Sequence, residues 1–415
     1  MPAEQSEIHL DDLARPRLPF AIRAFNALAG PLMRWQVDLA PGALLALAKK
    51  REGLDDFGPG TFREGLEVLC KGLDAEARLS AAGRFMVREL VVQLLSSRLR
   101  LEALIQAHPE ILQERVDAPL VVVGLPRTGT SALHSLLSQH PALRSLPYWE
   151  SLEPFPGPKD REQDRRLERC EQATKAIDWF MPYLRAMHEI TPTSPHEEIQ
   201  LLAMDFRTML FEVSYQIPSY AAWYRTQDLS PSFLYLRRVL QALQWLRGPK
   251  RWVLKSPQHL EQLPALLSAF PDARIVQTHR DPVEVVCSMA TMISYGNRMN
   301  GSRVDPPAIG RYWAQRIQDM LRANVEHRSR LSAASFLDVR FEELVADNVG
   351  TAEKAFAFAG LPFDAPARAA VSQHALDWPR HAFGKIAYRL EDVGLDAAAL
   401  RPQFRFYADR FSIAA

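Results

Sequence analysis

The stretch GLPRTGTS, residues 124–131, follows directly on APLVVV, residues 118–123. The apolar run has the length and the valine content of a strand buried on both faces. The next residues, SALHSLLSQHP (131–141), set Leu133, Leu136, Leu137 and His140 on one helical face, with Pro141 as the stop. Strand, glycine-framed loop and helix is the arrangement in which backbone amides and a helix N-terminus hold an anion. Gly124 and Gly129 keep the spacing of a nucleotide-binding G-x-x-x-x-G-K-[ST] loop, but Thr130 stands where the lysine belongs. Arg127 offers a planar cation instead, and Thr128, Thr130 and Ser131 offer hydroxyls.

Two further short strands end in cations: RWVLKSP (251–257) at Lys255, and ARIVQTH (273–279) at Arg280. A fourth, SFLDVRF (335–341), precedes a helical stretch, EELVADNVGTAEKAFAFAGL. After the third strand Asp281 reads as a helix N-cap, Pro282 as N1 and Glu284 as N3. Strands alternating with helices predict an α/β fold, a P-loop-like open parallel sheet flanked by helices. Ligands bind at the carboxyl edge of such a sheet. Arg280, with Ser288 eight residues on in the following helix, is therefore positioned for a second phosphate. HRDP is not a kinase catalytic loop, because Val286 stands where that motif needs Asn.

Around this core, residues 1–115 read as a helical N-terminal extension, a cap or an oligomer face, and 116–415 as the α/β domain. Residues 155–175 are highly charged, a surface loop leading into a solvated helix. Residues 178–247 are aromatic-rich and read as long helices: DWFMPYLRAMHEI, HEEIQLLAMDFRTMLFEV and SFLYLRRVLQALQWLRG. Lys+Arg and Asp+Glu nearly cancel at 50 against 49, which gives no support to a nucleic-acid partner or a globally cationic surface. No apolar run reaches the roughly 20 residues of a membrane span. The polar start of the chain does not read as a secretion signal. Cys70, Cys170 and Cys287 lack metal-ligand spacing and read as buried free thiols of a cytoplasmic protein.

GLPRTGTS, WVLKSPQHL, THRDPVEVVCSM and FLDVRFEELV, in this order, resemble the superfamily of sulfotransferases, in particular a bacterial branch with a K-S-P-x-H signature. The resemblance spans about residues 117–395. It implies 3′-phosphoadenosine-5′-phosphosulfate (PAPS) as sulfuryl donor, no metal, and a small hydroxyl-bearing acceptor. Arg127, Thr128, Gly129, Thr130 and Ser131 would form the 5′-phosphosulfate loop, and Arg280 with Ser288 the 3′-phosphate clamp. Many family members carry Lys where Arg127 stands. HAFGKIAYRLEDVGL (381–395) is similar to the family's C-terminal glycine-and-basic segment and offers Lys385 as a third contact, though its spacing departs from G-x-x-G-x-x-K.

By the same resemblance Lys255 and Arg127 are the catalytic cations. The base stays open. Where some relatives have His two residues after the lysine, this chain has Pro257, and His259 comes two later. Other relatives use a Glu beyond the helix that follows the loop, which points to Glu150 in LPYWESLEP. Glu197 and Glu198 in TPTSPHEEIQ are further candidates, although Ser194, Pro195 and Glu197 also make an ordinary helix start. The order of preference is Glu150, His259, then Glu197 or Glu198; His188 and His196 read as surface or packing residues. The aromatics of 178–247, mostly core, suggest an apolar acceptor such as a lipid, sterol, polyketide or phenol. A magnesium-dependent P-loop kinase or NTPase, and a nucleotide-binding protein without catalysis, are the competing readings.

Overall fold

The computed structural model describes residues 7–188, 190–377 and 383–413. Met1–Ser6 of the polar start, and His381 and Ala382 of the C-terminal motif, lie outside them. Five strands form one parallel sheet: β1 (Leu120–Val123), β2 (Leu143–Arg144), β3 (Arg251–Lys255), β4 (Arg274–His279) and β5 (Phe336–Arg340), in the order β2-β3-β1-β4-β5. Central β1 pairs with β3 on one side, Leu120 opposite Val253, and with β4 on the other, Leu120 opposite Arg274. The chain leaves β1 toward the β2 edge and later crosses to β4. The carboxyl end of β1 is therefore the point where the winding reverses, the place such sheets keep for ligands.

The strands are apolar because both faces are covered. Val121, Val123, Leu254 and Ile275 enter one core, while Leu120, Val122, Val253 and Val276 enter a second on the opposite face. Helices of the first quarter share the former core: Leu44, Leu66, Val91 and Leu95 pack into it. Its longest helix, α1 (Ala81–Ala107), is capped by Ser80, whose hydroxyl accepts from Gly83 N–H.

Behind the loop, α2 (Thr130–Leu137) buries Leu133, Leu136 and Leu137 as the spacing predicts; His140 lies past its end. At the end of β4, Asp281 caps α3 (Pro282–Gly296), its side chain accepting from Val283 N–H at 2.9 Å. Glu284 does not close a capping box; it pairs with Arg280. The aromatic-rich region departs most from expectation. The first predicted helix ends at Phe180 and resumes only as Leu184–Met187. HEEIQLLAMDFRTMLFEV divides into Ile199–Leu202, a 3₁₀ turn at Ala203–Asp205 and Met209–Ser214, with Phe206 left-handed at φ 57° between them. Buried Asp205 explains the break: it accepts from Ser232 Oγ at 2.6 Å and faces buried Arg98 at 3.3 Å, bonds that a continuous helix would not present.

Cys70, Cys170 and Cys287 are free and buried, and burial pushes the Cys170 thiol up to about 11. Among the described residues no helix is long and apolar enough to cross a membrane.

The loop needs its first glycine for space. A Cβ on Gly124 would come within 2.3 Å of Thr278 Oγ1 and 2.9 Å of Thr128 Oγ1, where those two hydroxyls already meet at 2.6 Å. Gly124→Ala is expected to destabilise the fold by about 1–3 kcal/mol in urea titration. Gly42→Ala, where a Cβ meets nothing within 4 Å, should be neutral or stabilising. Equal stability of the two variants would show that the loop tolerates displacement.

Candidate active site

The loop 124–129 runs from the end of β1 into α2 with two residues at positive φ, Arg127 at 71° and Gly129 at 85°. Glycine suits the second; arginine at the first is held there against the ordinary preference. Thr128 explains part of the constraint. Its hydroxyl donates to Leu125 O at 2.7 Å and contacts Thr278 on β4, tying the turn to the neighbouring strand. The first-turn amides of α2 have no partner within the helix and face the carboxyl edge of the sheet.

A cavity of about 580 Å³ opens there. Arg127, Gly129, Thr130, Ser131, Arg280 and Lys385 line it. The Arg127 guanidinium donates to Met187 O and to Tyr388 Oη at 3.2 Å, while its Nε is buried without a partner. Arg280 donates to Arg127 O at 2.9 Å, stacks 4.2 Å over the Phe341 ring and is paired with exposed Glu284. Arg280 thus holds the loop backbone, while the Arg127 side chain ties the loop to Met187 and Tyr388.

The centre of the site is Lys255, 2% exposed at the end of β3. Its ammonium donates to Ser131 Oγ at 3.1 Å and to Glu197 Oε1. Its backbone N–H donates to Glu198 Oε2 at 2.9 Å, and the other oxygen of Glu198 meets His259 Nε2. Glu198 and His259 are fully buried. Burial works to raise Glu198, but the facing His259 imidazole and the Lys255 amide outweigh it and hold the carboxyl below its ordinary range.

Glu197 reaches the cavity because Pro195–His196 pairs antiparallel with Leu146–Pro147, and the helix starts only at Ile199. The expected helix start at Ser194 is absent: its hydroxyl donates to Thr191 O at 2.9 Å instead. Of the base candidates, Glu197 alone lines the cavity.

The structure places Glu150 and His259 outside the cavity wall. Glu150 is 2% exposed, gripped by Arg144 at 3.2 Å and Arg247 at 3.0 Å, and is not in the cavity wall. Edge strand β2 carries Arg144, and the short helix Tyr148–Leu152 turns the carboxylate onto it. Tyr148, from the same helix, is the residue that faces the cavity. His259 sits behind Lys255, out of reach of the cavity.

Ser288 also stays outside the wall; it is 3% exposed and its hydroxyl turns back to Val285 O at 3.3 Å. Lys385 stands on the rim with its ammonium on Glu7.

Most aromatics of residues 178–247 stay out of the cavity wall, whose Phe and Tyr rings are Tyr148, Phe341, Phe383 and Tyr388 from other segments. Phe206, Phe211, Tyr220 and Tyr224 pack with one another in the core. Met187, Met209, Leu210, Val213, Met289 and Met292 line the cavity instead. The methionines of AMDFRTML and SMATM were the available signal, and methionine fills irregular apolar space well. His188 and His196, expected as surface or packing residues, also line it, with ring centroids 6.2 Å apart. Burial holds His188 down to about 4 and His196 well below its usual range, so both imidazoles are neutral at neutral pH.

The description "Sulfotransferase family" matches residues 119–365, more than half of the 415-residue chain. The chain belongs to the sulfotransferase family. The sulfotransferase STF9 of Mycobacterium avium superposes with a TM-score of 0.82 at 28% identity, covering 91% of this chain and 98% of that one. STF1 of Mycobacterium tuberculosis H37Rv gives 0.77 at 31% identity, covering 88% and 97%. The omega-hydroxy-beta-dihydromenaquinone-9 sulfotransferase Stf3 of Mycobacterium bovis is 24% identical over 269 residues. That match spans 59% of this chain and 63% of Stf3's own length. The family match at residues 119–365 contains the loop, Lys255, Arg280 and the Glu197–Glu198 pair.

Another buried imidazole of this sulfotransferase fold reports on acid stability. His134 on α2, 1% exposed, is held down to about 4 by burial and by the nearby Lys255 charge. Its folded value is below the unfolded one, so unfolding takes up a proton once the pH drops below about 6.5. Stability should therefore decline from pH 6.5 toward 4, and His134→Gln should flatten that slope in urea titrations across the range. An unchanged slope would remove His134 from the acid response.

Proposed function

We propose that this chain transfers a sulfuryl group from PAPS to a hydroxyl of an apolar acceptor by in-line displacement. The observation that carries the reading is the meeting of a loop hydroxyl, a carboxylate and a cation: Ser131 and Glu197 in the cavity wall, and Lys255, buried directly behind them, donating to both.

The loop fits a 5′-phosphosulfate. Its helix-start amides are free of helical partners, Arg127 Nε is buried and unpaired, and Gly129 in the cavity wall makes the left-handed turn into the helix at φ 85°. The donor supplies the activated sulfuryl group. Arg127, Thr128, Gly129, Thr130 and Ser131 hold its 5′ anion, and Lys255 neutralises charge that develops on the leaving oxygen. Glu197, rather than Glu150 or His259, takes the proton of the acceptor hydroxyl. Arg280 binds the 3′-phosphate, so the clamp expected from Arg280 and Ser288 rests mainly on the arginine; Lys385 serves it from the rim. Glu198 and His259 hold Lys255 in register without touching the reactants.

The methionine and aliphatic wall favours a lipid-like alcohol over a bare sugar. The menaquinone-derived lipid in the name of the mycobacterial relative Stf3 is a molecule of that class.

Calorimetry should show magnesium-independent binding of adenosine 3′,5′-bisphosphate. ATP binding that requires magnesium would overturn the reading in favour of a kinase. Glu197→Gln should keep bisphosphate affinity within a few fold while transfer from radiolabelled PAPS to dodecanol falls by about 10²–10⁴; wild-type turnover would exclude Glu197 as the base. Arg280→Ala should weaken the bisphosphate about tenfold to hundredfold and leave 5′-AMP unaffected. An equal loss for both nucleotides would refute its assignment to the 3′ side.

A further inference from the structure

The helix Phe20–Gln36 carries apolar residues on the side that faces water. Phe20 is 77% and Leu28 84% exposed, and Phe25 is also exposed. At about 100° per residue these three, with exposed Ala21, fall within one arc of the helix. The opposite side is the anchored one: Asn26 Oδ1 accepts from Ala82 N–H at 3.0 Å on α1, and Met33 packs on the main core. A surface helix normally turns its polar side outward. This one turns Phe20, Phe25 and Leu28 outward together with Arg23.

Its charge is one-sided. RPRLPFAIRAFNALAGPLMRWQ, residues 15–36, contains four arginines and no acidic residue. Arg15 and Arg23 are exposed, while Arg17 shares its charge with Asp11.

The helix is also tied to the acceptor cavity. The segment before it packs Leu10 and Leu13 into a small cluster with Met181, Met187 and Ile386, two of which line the cavity. Glu7–Ile8 pairs in parallel with Lys385–Ile386 in the cavity wall. On that wall Phe383 is exposed with the Arg185 guanidinium 5.7 Å from its ring centre, and Trp179 and Tyr183 are exposed on the neighbouring helix end. Aromatic rings beside arginines suit the headgroup region of a bilayer.

We infer that the outward face of helix 20–36 docks this protein on an anionic phospholipid surface. Phe20, Phe25 and Leu28 enter the acyl boundary, and Arg15 and Arg23 meet lipid phosphates. The segment 7–13 then tethers the cavity to the docked helix, which suits an acceptor carried by the membrane.

The test is cosedimentation of the full chain with vesicles of equal parts phosphatidylglycerol and phosphatidylcholine, against phosphatidylcholine alone. It needs neither donor nor acceptor, so it stands or falls separately from the sulfuryl-transfer reading. Wild type should bind the mixed vesicles preferentially. Phe20→Ser with Leu28→Ser should lower that binding roughly tenfold or more, and Arg15→Gln with Arg23→Gln should abolish the preference for phosphatidylglycerol. Both double variants alter exposed side chains and should keep the wild-type Tm and bisphosphate affinity. Absence of wild-type binding to mixed vesicles, or unchanged binding by the Phe20/Leu28 variant, would overturn the inference. So would a wild-type dimer in sedimentation equilibrium that Phe20→Ser with Leu28→Ser dissociates, since a second copy would then cover the face.

Discussion

The site is organised around one buried ammonium. Lys255 sits at a strand end with almost no access to solvent, where an unpaired charge would be costly. The chain satisfies it from both ends with a single dipeptide: Glu197 takes the side chain and Glu198 the backbone N–H. Ser131, at the start of α2, completes the contact across the β1–β3 pair. Three segments distant in sequence are thereby held to one point, and each is rigid for its own reason: a strand, a helix start and a buried His259–Glu198 contact.

This division of labour resolves why two adjacent acids behave differently. Glu198 is enclosed, bonded on both oxygens, and held in its charged form by those bonds. Glu197 keeps one face toward the cavity, where a proton can reach it. Glu150 illustrates the opposite case, because two guanidiniums use both of its oxygens at the sheet edge. A carboxylate so engaged is a fixture of the fold.

The cavity joins two chemical surfaces. Its sheet side is lined by amides, hydroxyls and arginines, and its far side by methionines and neutral imidazoles. On the proposed reading the first surface suits the anionic donor and the second an apolar acceptor. Arg127 spans the boundary, its backbone in the loop and its guanidinium on Met187 O and Tyr388.

Local sequence was enough for four of the five sheet strands, all but the two-residue edge strand Leu143–Arg144, and for the loop and the cap of α3, since each depends on neighbours within a few residues: valine runs buried on two faces, glycines at a tight turn, Asp281 before Pro282. It was also enough to nominate Lys255, Arg127 and Arg280, because strand ends and loops of this type converge on one edge. It put forward Glu150 and His259, neither of which lines the cavity, and it read most of the aromatics as core, where Phe206, Phe211, Tyr220 and Tyr224 lie. Spacing along the chain says how far a side chain lies from the loop, not which way the intervening turn aims it. Whether Glu150 or Glu197 reaches the cavity was decided by the guanidiniums of Arg144 and the distant Arg247 on Glu150, and by the pairing of Pro195–His196 with Leu146–Pro147, about 50 residues away in the chain. Those contacts exist only once the chain is packed, because burial converts a choice among equivalent carboxylates into a single arrangement in which every charge has a partner.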